Sequence, residues 1–324
     1  MKNNYYINYM DYYIPNTQYS ADYILKNISQ ERKNEIKNFD NYITKFLNET
    51  KIETIAYFED KREFSRKIYE LIEKMLKNVN ITAKDISYIL CGNPHLFNMD
   101  GVSIIHSLKN DFNFSNSIIL PIMQPCAATL CGISISEKLL ENEKYILIVS
   151  GCCWNSIDER YIDFSIRGDG ISIMLLSQNE GKFCVKDSNV LNYNNSILNV
   201  DGSLKYDEPT LSRINLICTG SNFVADSIKK FGVDVSNLSK IIQPNPGYYV
   251  FHNLYSYYAK LDSDIFFYDN IPNGGHICDI DIVRNLMDFD KKRKLKPGEK
   301  VMLYTPDVEP TFDINYYSVL LEKC

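Results

Sequence analysis

Between residues 62 and 79 the chain reads "REFSRKIYELIEKMLKNV", and Phe64, Ile68, Leu71, Met75 and Val79 recur at the three- and four-residue spacing of one helical face. The pattern predicts a long amphipathic helix. Shorter continuous apolar runs, "YILIV" from 145 and "ISIMLL" from 171, predict strands. Strands and helices alternate along the chain, which argues for layered α/β architecture.

The pattern also repeats. After the first helix comes "NITAKDISYILCGNP"; after a second helix-like stretch, "SNFVADSIKKFG", comes "DVSNLSKIIQPNP". Thr82 and Ser236 are candidate N-caps of short turns, Ile86–Leu90 matches Leu238–Ile242, and both segments end in Asn-Pro, at Asn93-Pro94 and Asn245-Pro246. A second correspondence follows. "SIIL" leads to Cys126, a helix to about 141 and the strand "KYILIVSG". "DIFFY" leads through "DNIPNGGH" to His276, a helix to about 290 and the strand in "KLKPGEKVMLYTP". Cys126 and His276 thus occupy corresponding places, each ahead of its half's central helix. A duplicated chain of this kind folds as two halves, 1–178 and 179–324, about a pseudo-twofold axis, which would bring the two helix starts together.

Composition narrows the function. The chain has 324 residues, a formal net charge of −6 and 45% apolar residues, so it builds a substantial core and presents no general attraction to nucleic acid or an anionic membrane. Its longest apolar runs are too short to span a bilayer. The start, "MKNNYYINYMDYYIPN", lacks the pattern of a signal peptide. The 9 cysteines are irregularly spaced and no paired Cys-x-x-Cys motif indicates zinc, so a reduced, cytoplasmic protein with mostly free thiols and no metal is expected.

"QPCAATLCGISISEKLLENEKYILIVSG", "IRGDGISIMLL" (166–176) and "LSKIIQPNP" together resemble the thiolase-fold superfamily, and within it the β-ketoacyl carrier-protein synthase III group. The resemblance implies two α/β halves in a five-layered arrangement, with Cys126 as nucleophile. It also implies an acyl donor held on coenzyme A or an acyl carrier protein, a homodimer, and no cofactor. Two departures matter. Where a condensing enzyme carries its histidine this chain has Asn245, and His276 stands about one place from the expected asparagine. Gly275-His276 to Asp281 instead resembles a divergent acyltransferase subgroup of natural-product pathways that uses Cys or Ser with His and Asp. An atypical ketosynthase and a non-catalytic partner subunit are the alternatives.

The proposed chemistry is consistent with the residue types. A cysteine takes an acyl group from a thioester with little free-energy change. A helix start favours its thiolate, a histidine moves the proton, and a carboxylate orients the imidazole. Regular helical spacing favours Asp279, three residues on from His276; the resemblance favours Asp281, which requires a loop over 277–280 and would make Asp281 an N-cap, and Asp281 is the expected catalytic carboxylate. Asn245 is either a donor to an acyl oxygen or ordinary turn chemistry. Cys131 and His252 read as structural, with His252 on a helix whose apolar face is Val250, Leu254 and Tyr257. "KKRKLKPGEK" (291–300) is either a solvated turn or a docking patch for an acidic acyl carrier protein. The glycine-rich closing loop of condensing relatives corresponds here to "YTPDVEPTFDINYYSVLL", which has no glycine.

Overall fold

Nine strands form one sheet in a computed structural model that describes residues 4–97, 103–140, 144–193, 209–307 and 314–324. They are β1 (Tyr5–Tyr13), β2 (Ile86–Gly92), β3 (Ile118–Ile122), β4 (Tyr145–Cys152), β5 (Gly170–Ser177), β6 (Phe183–Tyr193), β7 (Leu238–Ile242), β8 (Lys300–Asp307) and β9 (Ile314–Lys323). Their order across the sheet is β7-β8-β9-β6-β1-β5-β4-β2-β3.

The duplication expected from sequence is visible in this order. From the central β1·β6 pair outward, the first half runs β1-β5-β4-β2-β3. The second runs β6-β9-β8-β7, and Phe266 then makes a parallel bridge to Ile241. That bridge is all that forms of the strand expected at "DIFFY". In both halves the second and fourth strands pair parallel and the fourth and fifth antiparallel. The boundary expected at 178/179 falls between β5 and β6. Thr82 caps its short turn as expected, whereas Asp234, not Ser236, caps the equivalent turn in the second half.

Strand alternation sorts side chains into layers. Along β4, Ile146 and Ile148 face inward while Leu147 and Val149 face outward; along β8, Val301 and Leu303 face inward while Met302 and Tyr304 face outward. The inward faces of both halves share one apolar cluster with two central helices, α3 (Ala128–Leu139) and α5 (Ile280–Arg293). Each of these helices touches strands of both halves. Helices α1 (Lys61–Val79) and α2 (Ile104–Asp111) cover the outer face of the first half, and α4 (Pro209–Lys230) that of the second. The result is α–β–α–β–α layering. Because both faces of β4 and β8 are covered, these strands read as unbroken apolar runs.

Helix α1 buries Phe64, Ile68, Leu71, Ile72 and Met75, and ends at Asn80 in the left-handed conformation (φ 57°). Each of the fully buried side chains contributes about 1.5–3 kcal/mol of burial free energy. The segment around His252 differs from expectation. Val250–Tyr255 forms a π-turn, and Phe251 and Tyr255 are buried while Tyr257 is exposed. The wider turn rotates the apolar face away from the α-helical register. His252 stacks on Tyr248 with ring centroids 4.4 Å apart.

Candidate active site

Helices α3 and α5 both begin at the interface of the two halves, and the segments leading into them carry the chemistry. Cys126 lies in a turn two residues before α3; Cys278 lies two residues before α5. By this spacing the pseudo-symmetric counterpart of Cys126 is Cys278, which corrects the alignment of Cys126 with His276 that the sequence suggests. His276 is placed instead by a backbone clasp across the axis. Its N–H donates to the Ile166 carbonyl (2.8 Å), and its carbonyl accepts from Gly168 N–H (2.9 Å). The clasp explains two glycines. A Cβ on Gly168 would lie 1.8 Å from the Gly274 carbonyl oxygen, and Gly275 combines φ +76° with a Cβ position 2.7 Å from the Ile166 oxygen. The Gly-Asp-Gly turn of the first half therefore docks the Gly-Gly-His segment of the second.

The docked imidazole spans two partners. Its Nδ1 lies 2.7 Å from Asp281 Oδ2 and its Nε2 lies 4.0 Å from Cys126 Sγ. Asp281 is fully buried and is itself held. Oδ2 accepts from Asn245 N–H (2.9 Å) and Ile277 N–H (3.2 Å), and Oδ1 from the Asn245 amide (3.1 Å). With that many donors aimed at it, Asp281 is a carboxylate that accepts from His276 Nδ1–H, which leaves Nε2 facing the thiol. The structure thus brings together Cys126, His276 and Asp281. Asp281 is not the N-cap, however: α5 starts at Ile280, with Asp279 in the cap position.

Asn245 is placed differently from the expectation that it would meet an acyl oxygen. It is fully buried, its Nδ2 donates to Asp281 and Asn285, and its Oδ1 accepts from Asn285 (2.9 Å). Every polar atom of the side chain is engaged within the protein, so its geometry is that of a support for Asp281.

Asp279 points away from His276. Its Oδ2 accepts from Thr129 N–H (3.2 Å), Thr129 Oγ1 (2.9 Å) and Ser150 Oγ (2.5 Å), while its Oδ1 has no hydrogen-bond partner among the described residues. Burial raises this carboxyl to about 6, against the lowering effect of Ser150 and Thr129. A folded-state value above the unfolded one means that protonation favours the fold. The contribution is full below about pH 4 and is lost as pH rises through about 6, a penalty of ~3 kcal/mol at neutral pH. Urea unfolding from pH 4 to 7 is therefore expected to show a smaller loss of stability for Asp279→Asn than for the native chain; parallel curves would refute this assignment.

The same contacts define the backbone around Cys126. At the α3 start the Thr129 N–H is taken by Asp279, and Cys126's own N–H donates to Asp307 Oδ1 (3.1 Å). The neighbouring Cys278 thiol and burial push the Cys126 thiol well above its ordinary value, with His276 pulling the other way. For His276, burial pulls downward but is outweighed by Asp281 and Cys126, leaving the imidazole raised to about 9. The His276 imidazole, 4.0 Å from the sulfur, is the group that can draw its proton.

Sequence reasoning missed Asp307, Cys278 and Thr305, whose Oγ1 donates to the Cys126 carbonyl (2.8 Å). The duplication held the signal for two of them. Asp307 closes β8 as Cys152 closes β4, and each ends beside the opposite half's helix start. Residues 308–313 of the closing loop lie outside the described residues. Cys131 lies one turn into α3 against Tyr317. The basic stretch 291–300 is at the far end of α5, about 18 Å along the axis from Asp281, where Lys292 pairs with Asp269 and Arg293 with Glu299.

No family model and no curated protein matches the sequence. Solved structures do match, over almost the whole chain. An acyltransferase, ChlB3, aligns with 12% identity over 99% of this chain and 98% of its own (TM-score 0.77). The 3-oxoacyl-[acyl-carrier-protein] synthase III of Aquifex aeolicus VF5 aligns with 13% identity over 98% and 99% (TM-score 0.74). A single-residue variant of OleA from Xanthomonas campestris aligns with 12% identity over 98% of both chains (TM-score 0.75). The fold is thus the two-half, layered thiolase-like fold of synthase III.

Proposed function

We propose that the protein is an acyltransferase. It takes an acyl group from a coenzyme A or acyl-carrier-protein thioester onto Cys126 and passes it to a second acceptor. The observation that carries this reading is the chain of contacts Cys126–His276–Asp281 at the junction of the two halves. His276 Nε2 takes the thiol proton as sulfur attacks the thioester carbonyl. The carbon–sulfur bond to the carrier then breaks, and His276 returns the proton to the departing thiolate. In the second half-reaction His276 takes the proton of an acceptor hydroxyl, amine or thiol. The acceptor attacks the acyl-cysteine, and the proton goes back to Cys126. Asp281 stabilises the imidazolium in both halves of the cycle. The Cys126 N–H can serve a developing oxyanion only when Asp307 turns away from it.

Condensation is the less favoured reading. Decarboxylation of a malonyl thioester calls for neutral donors at the enolate oxygen, and Asn245, at the position of the condensing histidine, is wholly engaged with Asp281 and Asn285. Intact-protein mass spectrometry with a panel of acyl thioesters is expected to show one acyl mass per chain. Malonyl thioesters are expected to release no carbon dioxide on the timescale of acylation; release at a comparable rate would return the ketosynthase reading, and a chain inert to every donor would favour the partner-subunit reading.

The homodimer belongs to the same proposal. Strand β3 is one edge of the sheet; Ile118, its first residue, and Met123, just past its last, are 54% and 70% exposed. An apolar, unpaired edge next to the Cys126 loop suits pairing with a second copy. The carrier partner is proposed without support from the basic stretch, given its distance from Cys126 and its ion pairs. No described helix is long and apolar enough to cross a membrane.

A further inference from the structure

Cys278 has no part in the acyl relay, yet its thiol sits inside it. Cys126 Sγ, His276 Nε2 and Cys278 Sγ all lie within 4.8 Å of one another. We propose that these three atoms bind a thiophilic divalent transition-metal ion, with zinc as the reference ion.

Four observations support the assignment. The ligand set is Cys2His, the donor chemistry that zinc prefers, and three protein ligands leave a fourth position for an exogenous ligand. Tetrahedral zinc at its usual bond lengths holds sulfur and nitrogen ligands about 3.5–3.8 Å apart. The Cys126 Sγ to His276 Nε2 distance is 4.0 Å, so the site closes by side-chain adjustment of about 1 Å or less. The second shell is already in place: His276 Nδ1 is bonded to a buried carboxylate, Asp281, which fixes the ring with Nε2 toward the two thiols. Finally, Cys278 is held at φ +52°, a conformation that side chains other than glycine rarely adopt, and its thiol is thereby kept beside Cys126.

The pseudo-twofold axis explains how the two thiols meet, since each stands two residues before its half's central helix. Cys152 lies behind the three ligand atoms: its sulfur accepts from the Asn93 amide at 3.0 Å and its thiol meets that of Cys278. Binding exchanges ligand protons for the ion: the two thiol protons and, while His276 is an imidazolium, its Nε2 proton leave as Zn2+ enters, giving a dithiolate complex that neutralises the ion's charge in the buried site, so affinity rises with pH. Only one consequence rests on the acyltransferase reading: metal and acyl group compete for the same sulfur, so the metal would act as a reversible inhibitor.

The test is cobalt titration of the metal-stripped full chain under argon, with a non-thiol reductant, and needs no acyl substrate. Expected are one ion per chain, near-ultraviolet thiolate-to-cobalt charge transfer, and displacement by zinc. Cys126→Ser and Cys278→Ser should each weaken affinity more than about 100-fold, and Asp281→Asn by about 10–100-fold, while Cys131→Ser leaves it unchanged. Cys278→Gly, which relieves the positive φ, guards against a folding defect. Absence of the charge-transfer band in the native chain, or its persistence at native affinity in Cys278→Gly, overturns the site. Cobalt binding in a chain that no thioester acylates would retain the metal site and reject the acyltransferase.

Discussion

Cys126→Ala is expected to abolish the covalent acyl adduct, a loss of at least about 10³-fold in acylation rate, while Cys131→Ala leaves it in place. The contrast follows from surroundings rather than from intrinsic thiol reactivity. Cys126 is partly exposed and has an imidazole nitrogen 4.0 Å from its sulfur. Cys131 is also partly exposed, but its neighbour is Tyr317, which is no base at neutral pH. Cys278 is the severer control. It shares the imidazole but is 2% exposed, so a carrier-bound thioester has no path to it. Tryptic mapping of protein incubated with a short acyl thioester settles the point, and an acyl group found on Cys278 or any other cysteine in Cys126→Ala would sink the assignment.

Asp281→Asn is expected to slow acylation by ~10²–10⁴-fold, with Asp279→Asn changing it by no more than a few-fold. An amide at 281 removes the charge that stabilises imidazolium and offers an N–H where His276, Asn245 and Ile277 all donate. The pH dependence separates this effect from simple damage. His276 is raised to about 9, chiefly because Asp281 outweighs the opposing effect of burial, so the native acylation rate should climb with pH toward that value as the imidazole loses its proton. Without the carboxylate the protonated form loses its partner, and the inflection must move down. A single-turnover pH–rate profile reads it directly. An unmoved inflection, or an equal loss in Asp279→Asn, would show that Asp281 acts through folding alone.

Much of the fold could be read from local pattern. The amphipathic row Phe64–Met75 produced α1 because a 3.6-residue period buries one face whatever lies opposite. The runs at 145 and 171 produced β4 and β5 because both faces of those strands are covered. The duplication survived in the sequence since each half packs the same strand order, and the Cys126 turn was legible as a strand-to-helix junction. "DIFFY" failed as a strand because one bridge to Ile241 is all its neighbours offer. The helical register at His252 failed because a π-turn breaks the assumed period.

What the sequence determined by itself, then, is the order of elements, the two-half repeat and the meeting of the two helix starts, all of which follow from periodicity and repetition. Tertiary structure alone decided the rest of the site. Spacing along a regular helix pointed from His276 to Asp279, but Cys278 takes φ +52° and turns the chain before α5 begins, sending Asp279 to Thr129 and Ser150 and returning Asp281 to the imidazole. The same turn placed the thiol of Cys278 beside Cys126, and the packing of the two halves set Asp307 on the Cys126 N–H and closed Asn245 onto Asp281. These contacts join residues from 36 to 181 positions apart. No local pattern encodes them, because a side chain's direction at a helix start depends on one or two backbone angles that only the packed molecule fixes.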